Sequence, residues 1–239
     1  MRPWIASASA LAFAVSVSSG AQTAVGASPG LLPGPAEIGA MHRAIHALKS
    51  WRSVCTMKQS GVLSSGMMST LVTTRVIRPD RVAVSITING AATRESVKIG
   101  QTAYSRLGQD AWSREPKSFA GLRATVKSLA MGIDKNLVYG VAGHSSINGE
   151  PVSIYHVTMP SLLGVTPLGD GVQIHIGIGR GSMVVSTQSH LPLKSTMLLP
   201  MYETGPKGTT NHDSTEECKY SDYDGKDIEI DAPQLSGVD

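Results

Sequence analysis

Residues 75–116 read RVIRPDRVAVSITINGAATRESVKIGQTAYSRLGQDAWSREP, and this stretch decides the fold class. Val82, Val84, Ile86 and Ile88 alternate with Ala83, Ser85 and Thr87, the two-residue period of a strand with one apolar side. Asn89-Gly90 supplies the positive backbone angles of a two-residue hairpin. Gly100-Gln101 and Gly108-Gln109-Asp110 punctuate two further short runs, Val97 to Ile99 and Ala103 to Leu107. Nothing in the stretch looks like catalysis. It points to a strongly curved antiparallel sheet with one apolar side, built to hold something rather than to convert it.

Upstream, Val54 to Gln59 and Leu71 to Arg78 extend the β pattern. Before them, Pro35 falls where a helix can begin, and Ile38, Met41, Ile45 and Leu48 recur at helical spacing. That stripe should lie on the sheet. Downstream, Phe119, Leu122, Val126 and Leu129 mark a second amphipathic helix over Ser118 to Met131, ended by Gly132. The β pattern then returns at Leu137 to Gly143 and Val152 to Met159, flanking the hairpin signal Asn148-Gly149. Val172, Ile174, Ile176 and Ile178 alternate with polar and small residues, and Met183 to Gln188, Leu193 to Leu199 and Lys219 to Tyr223 follow. Asp227 to Ile230 reads as a short final edge strand. Helices and strands without a βαβ rhythm make the class α+β.

The first residues set the compartment. Met1-Arg2 precedes an apolar run from Ala6 to Val17, and Ser19-Gly20-Ala21 offers the small residues of a cleavage site. The expected plan is a leader over 1–21, a Gly/Pro-rich linker over 22–35, a ligand-binding domain over 36–234 and a tail over 235–239. Cleavage after Ala27 and an uncleaved anchor are the alternatives. The mature chain, of about 215 residues, suits one domain and is expected in the periplasm or outside the cell. A formal net charge of +3, with no basic cluster interleaved with aromatics, argues against nucleic acid as a partner. Only two Phe and three Trp occur, so the core must be largely aliphatic.

Two cysteines, Cys55 and Cys218, allow one disulfide in an oxidising compartment, with two buried free thiols as the alternative. Neither has the spacing of a metal site or a redox CxxC, and no metal or cofactor is expected. His42 and His46 stand four apart on the first helix, but Arg43 takes the place of the glutamate a zincin needs. His156 and His175 fall in strands and Asp134, Asp170 and Asp213 in turns, so spacing leaves a triad open. No Gly-x-Ser-x-Gly elbow accompanies them; Gly143-His144-Ser145-Ser146 does not match. Gly177-Ile178-Gly179-Arg180-Gly181 is followed by strand-like Ser182 to Ser186, so it reads as a hairpin turn and not as a phosphate loop. Met67, Met68, Met159, Met183, Met197 and Met201 suit core filling, or an adaptable lining for a flexible apolar ligand. No enzymatic activity is expected.

The order of these features resembles the LolA/LolB-like superfamily of periplasmic lipoprotein and lipid carriers, which includes mycobacterial lipid-binding lipoproteins of the same half-barrel fold. The resemblance is carried by Arg78-Pro79-Asp80-Arg81 between two long strands, the Tyr104 and Trp112 hairpins, and Leu191-Pro192-Leu193-Lys194. The closing Tyr220-Ser221-Asp222-Tyr223 and Ile228-Glu229-Ile230-Asp231-Ala232-Pro233 complete it. It implies an unclosed β-barrel whose concave side is covered by helices, with acyl chains bound between them. The chain lacks a lipobox and is poor in the large aromatics of a lipoprotein chaperone, so neither anchoring nor lipoprotein sorting is implied.

The expected function is an exported, non-enzymatic protein that binds or carries a lipid or acylated molecule in a hydrophobic cavity. Val82, Val84, Ile86, Val172, Ile174 and Ile176 are the expected lining, with Phe119, Leu122 and Val126 from the covering helix. Other readings are a dry core sealed by the helices, an envelope-stress sensor meeting a membrane-associated partner protein, and a hydrolase using a strand histidine.

Overall fold

The computed structural model describes residues 35–60, 67–115, 137–159, 165–169, 172–206 and 208–235. The expected leader, most of the linker and the last residues of the tail lie outside these. So does the second helix expected over Ser118 to Met131, with Phe119, Leu122 and Val126. Helix α1 spans Pro35–Ala47. The first run of strands comprises β1 (Ser50–Ser60), β2 (Met67–Ile77), β3 (Arg81–Ile88), β4 (Ala91–Ile99), β5 (Thr102–Arg106) and β6 (Ser113–Arg114). The second comprises β7 (Val138–Ile147), β8 (Glu150–Met159), β9 (Val165–Gly169), β10 (Val172–Ile176), β11 (Gly179–Ser186), β12 (Pro192–Gly205) and β13 (Gly208–Ser221).

Tight turns make most of these strands neighbours in space. Asn89 and Gly90 sit at φ 49° and 83°, and Asn148 and Gly149 at 52° and 82°, the left-handed angles that match hairpin twist. The thirteen strands join one antiparallel sheet, eleven of them in the order β6-β5-β4-β3-β2-β1-β13-β12-β11-β8-β7, with β10 pairing β12 and β9 pairing β10 beside that path. Among the described residues β6 and β7 do not pair, so the sheet is curved but unclosed, as expected from the sequence. Its two halves, one built before residue 115 and one after 137, meet at the β1–β13 ladder. There Cys55 faces Cys218, and a disulfide joins them across 163 residues of chain.

Directly opposed residues of an antiparallel pair point to the same side, so the registers assign every strand residue to a face. Met41 and Ile45 of α1 and Leu48 just past its end pack on Trp51, Val76, Val82, Val84, Tyr139, Tyr155 and Val157, which form the main buried core. This is the helix side of the sheet. On the outer side a smaller cluster joins Ala83 to Ile228 and Ile230, with Ile77, Val97 and Ile99 around them.

Several boundaries differ from the sequence reading. Strand β13 begins at Gly208 rather than Lys219, β9 has no counterpart in that reading, and three further differences have a visible physical cause. Residues 227–230 are not an edge strand but a strap lying across β3 and β4. Their alternating isoleucines mimic a strand, yet their carbonyls are taken by side chains. Arg75 donates to the Glu229 oxygen at 3.3 Å and Arg81 to that of Ile230 at 3.1 Å. Second, Gly179 to Gly181 belong to β11 rather than to a turn, because a Cβ at Gly181 would lie 1.9 Å from the Thr196 oxygen. Glycine there permits close strand packing. Third, β12 continues to Gly205 through Pro200. Its partner changes at that proline, from β11 up to Leu198 to β10 from Met201, which is a position where a missing N–H costs no ladder bond.

The strap is testable. Ile230, 3% exposed, should cost about 2 kcal/mol when replaced by alanine. The drop should appear in urea unfolding with an unchanged m-value, the mark of lost packing in the native state.

Candidate functional site

Helix α1 covers one end of the helix-side face. Beyond it the registers place Met57, Val72, Ile86, Ile88, Met197 and Leu199 on the same side. All six side chains are half-buried rather than sealed. Their strands are β1, β2, β3 and β12, with β13 between β1 and β12. The result is an aliphatic and thioether wall. Methionine suits such a wall because its unbranched chain repacks around guests of irregular shape.

The expected lining residues fall into three groups. Val82 and Val84 are buried in the core beneath α1, while Ile86 is half-buried at its margin. Val172, Ile174 and Ile176 belong to β10, where Ile174 pairs with Glu203 and Ile176 with Met201; their side chains lie outside the described residues. Phe119, Leu122 and Val126 lie outside them altogether. Reasoning from sequence passed over Met57, Val72, Ile88 and Leu199 as lining. The alternation of Trp51, Ser53, Cys55 and Met57 within Ser50 to Gln59 was the available signal for the first.

One carboxyl stands within this wall. Glu216 pairs with Met57 on one side and Met197 on the other, and its Oε1 lies 3.0 Å from Cys218 Sγ. A disulfide sulfur carries no proton, so only a protonated Glu216 can donate across that contact. Cys55, Cys218 and Glu216 lie close enough together to interest a metal ion, but the sulfur–sulfur bond occupies both thiols. Burial pushes the Glu216 carboxyl above its ordinary range, since charge is costly to remove from water. Nearby, burial also pushes the Tyr220 hydroxyl up to about 12, and that hydroxyl shares a 3.0 Å hydrogen bond with Ser195.

A pH dependence follows for Glu216. Its folded-state pKa exceeds the unfolded value, so its contribution to stability is complete below the unfolded pKa and is lost as pH rises through the folded one. The difference in melting temperature between wild type and Glu216→Gln should therefore change between mildly acidic and neutral solution, with the wild type losing ground as pH rises. Thermal melts of both across that range check it.

Among the described residues the histidines do not converge on one catalytic group. His144 Nδ1 lies 3.2 Å from Ser153 Oγ, and the expected partners Asp134 and Asp170 lie outside the described residues. His156 is exposed on β8, and His175 stacks on Tyr202 with ring centroids 4.5 Å apart while bonding Thr204 at 3.1 Å. His42 and His46 sit on the solvent-facing part of α1, half-buried and exposed respectively. His212 is buried in β13, with Nε2 3.6 Å from a Glu203 oxygen.

The outer face differs in kind. A shallow groove of about 440 Å³ runs over β1, β13, β12 and β11 and is lined largely by Thr56, Lys58, Arg180, Thr196, Leu198 and Glu217. Its mixed polarity does not suit an acyl chain.

No protein-family model matches the chain, and no curated protein matches it. Solved structures do. Lipoprotein LppX of Mycobacterium tuberculosis aligns at a TM-score of 0.47 and 16% identity, over 82% of this chain and 97% of that one. LprF from Mycobacterium bovis aligns at 0.44 and 15%, over 84% and 99%. A putative outer membrane lipoprotein-sorting protein domain from Vibrio parahaemolyticus aligns at 0.27 and 12%, over 81% and 93%.

Proposed function

We propose that this protein binds and carries a lipid or acylated molecule against the helix side of its sheet, without chemical conversion. The observation that supports this most is the wall beyond α1. Met57, Val72, Ile86, Ile88, Met197 and Leu199 face one side of an unclosed sheet and stay only half-buried. Moving each methylene of a tail from water onto such a wall contributes about 0.8 kcal/mol. A chain of roughly ten engaged methylenes would offset an association cost of about 4 kcal/mol or more and still bind usefully. Loading proceeds by displacement of the covering helix, of which α1 is the described example.

The carrier works outside the cytoplasm, in the periplasm or beyond. The leader-like first 21 residues and the Cys55–Cys218 bond support that location, because disulfides persist in oxidising compartments. A membrane-associated protein is the expected partner for delivery. Mass spectrometry of protein purified from its native host tests the central claim. Copurified acyl chains in stoichiometric amount are expected. Their absence, together with failure of the delipidated protein to take up a fluorescent fatty acid, would rule out the carrier.

A further inference from the structure

Strands distant in sequence bring a set of cations together on the outer face. By register, Arg52 and Lys58 of β1, Lys219 of β13, Lys194 of β12 and Arg180 of β11 all point outward. Lys194 stands directly opposite Lys219, a like-charge cross-strand pair that costs stability. Carboxylates on this side answer only part of the charge. Glu217 binds Lys194 at 3.0 Å and Asp222 binds Arg52 at 3.2 Å, and Asp213 lies further along β13. Lys58, Arg180 and Lys219 are exposed. Glu217, already bound to Lys194, also attracts Lys219 and Lys58 through space, so one carboxylate is shared among three cations.

Two leucines break this basic field. Leu198 is 43% exposed and Leu71 is 41% exposed. Leu198 opposes Arg180 across β11 and Thr215 across β13, while Thr215 in turn opposes Lys58. Leu71 opposes Thr56. Exposed aliphatic side chains among cations match a bilayer interface, where headgroup charge and the acyl boundary lie within a few ångströms of each other. A free polyanion would gain nothing from the leucines.

We propose that the outer face of β1, β11, β12 and β13 docks the protein on a membrane surface rich in anionic phospholipid, leaving the helix side turned away and free to open. This goes beyond cargo binding and stands independently of it. Each basic residue near such a surface is worth about 1 kcal/mol, close to fivefold in affinity.

The test is co-sedimentation of the full chain with phosphatidylcholine vesicles containing phosphatidylglycerol, and with pure phosphatidylcholine vesicles. Binding to the mixed vesicles alone is expected, weakening as salt is raised. The variant Lys58→Glu/Lys219→Glu should bind at least about 25-fold more weakly, and Leu198→Ser should also bind less. Native far-UV dichroism shows that these exposed substitutions leave the fold intact. Equal binding to both vesicle types, or unchanged binding by the charge-reversed variant, overturns the proposal. So does failure to bind either vesicle, which would leave the patch to an acidic protein. Acyl content measured on the same samples separates this result from that of the carrier: the variants should retain cargo while losing the vesicles.

Discussion

Replacing Cys55 and Cys218 by alanine together, or reducing them, is expected to lower stability by about 5 kcal/mol. In the chain-entropy model the loss grows with the logarithm of the closed loop, and here the cysteines are 163 residues apart. The bond also sits where the sheet has least sequence continuity. Strands β1 to β6 and β7 to β13 each fold largely through local hairpins, whereas the β1–β13 ladder joins the chain's first described strand to its last. A drop in melting temperature of roughly 10–20 °C is the corresponding signal for a chain of this size. Calorimetry of oxidised and reduced protein, with the double alanine variant alongside, checks it. A shift of one or two degrees would mean that the ladder holds without its staple.

Ile86→Asp is expected to weaken acyl-chain uptake about fiftyfold. Ile86 lies at the margin of the covered core, half-buried and opposite Val72. A carboxylate there keeps its hydration shell and displaces about three methylenes of contact, roughly 2.4 kcal/mol. Leu71→Asp is the control. It lies on the next position of β2, but on the outer face, and should leave uptake unchanged. Titration with a fluorescent fatty acid separates the two variants, and native dichroism in both excludes misfolding. Equal losses would mean that the guest does not use the helix side.

Local chemistry was legible in the sequence. The two Asn-Gly hairpins, the helical stripe of Met41, Ile45 and Leu48, and the alternation of Val82, Val84 and Ile86 each depend on residues a few positions apart. The structure shows those hairpins and that buried stripe. Long-range geometry was not legible. Ile228 and Ile230 alternate as a strand would, and only the Arg75 and Arg81 side chains, some 150 residues earlier, make the segment a strap. Pro200 argues locally for a strand end, yet β12 continues through it because its neighbour changes there. The basic patch escaped notice for the same reason. Lys58, Arg180, Lys194 and Lys219 look dispersed along the chain, and strand order alone gathers them.

The seam between the sheet's two halves has a mechanical consequence. A covalent stitch at β1–β13 makes that line the spine of a book, so the covers cannot part there. Any widening of the sheet itself that accompanies displacement of the helix must come from the fore-edges, β6 and β7. Of these, β6 is held to its neighbour by only two residue pairs, Tyr104 with Arg114 and Ser105 with Ser113, and so it is the page that turns first.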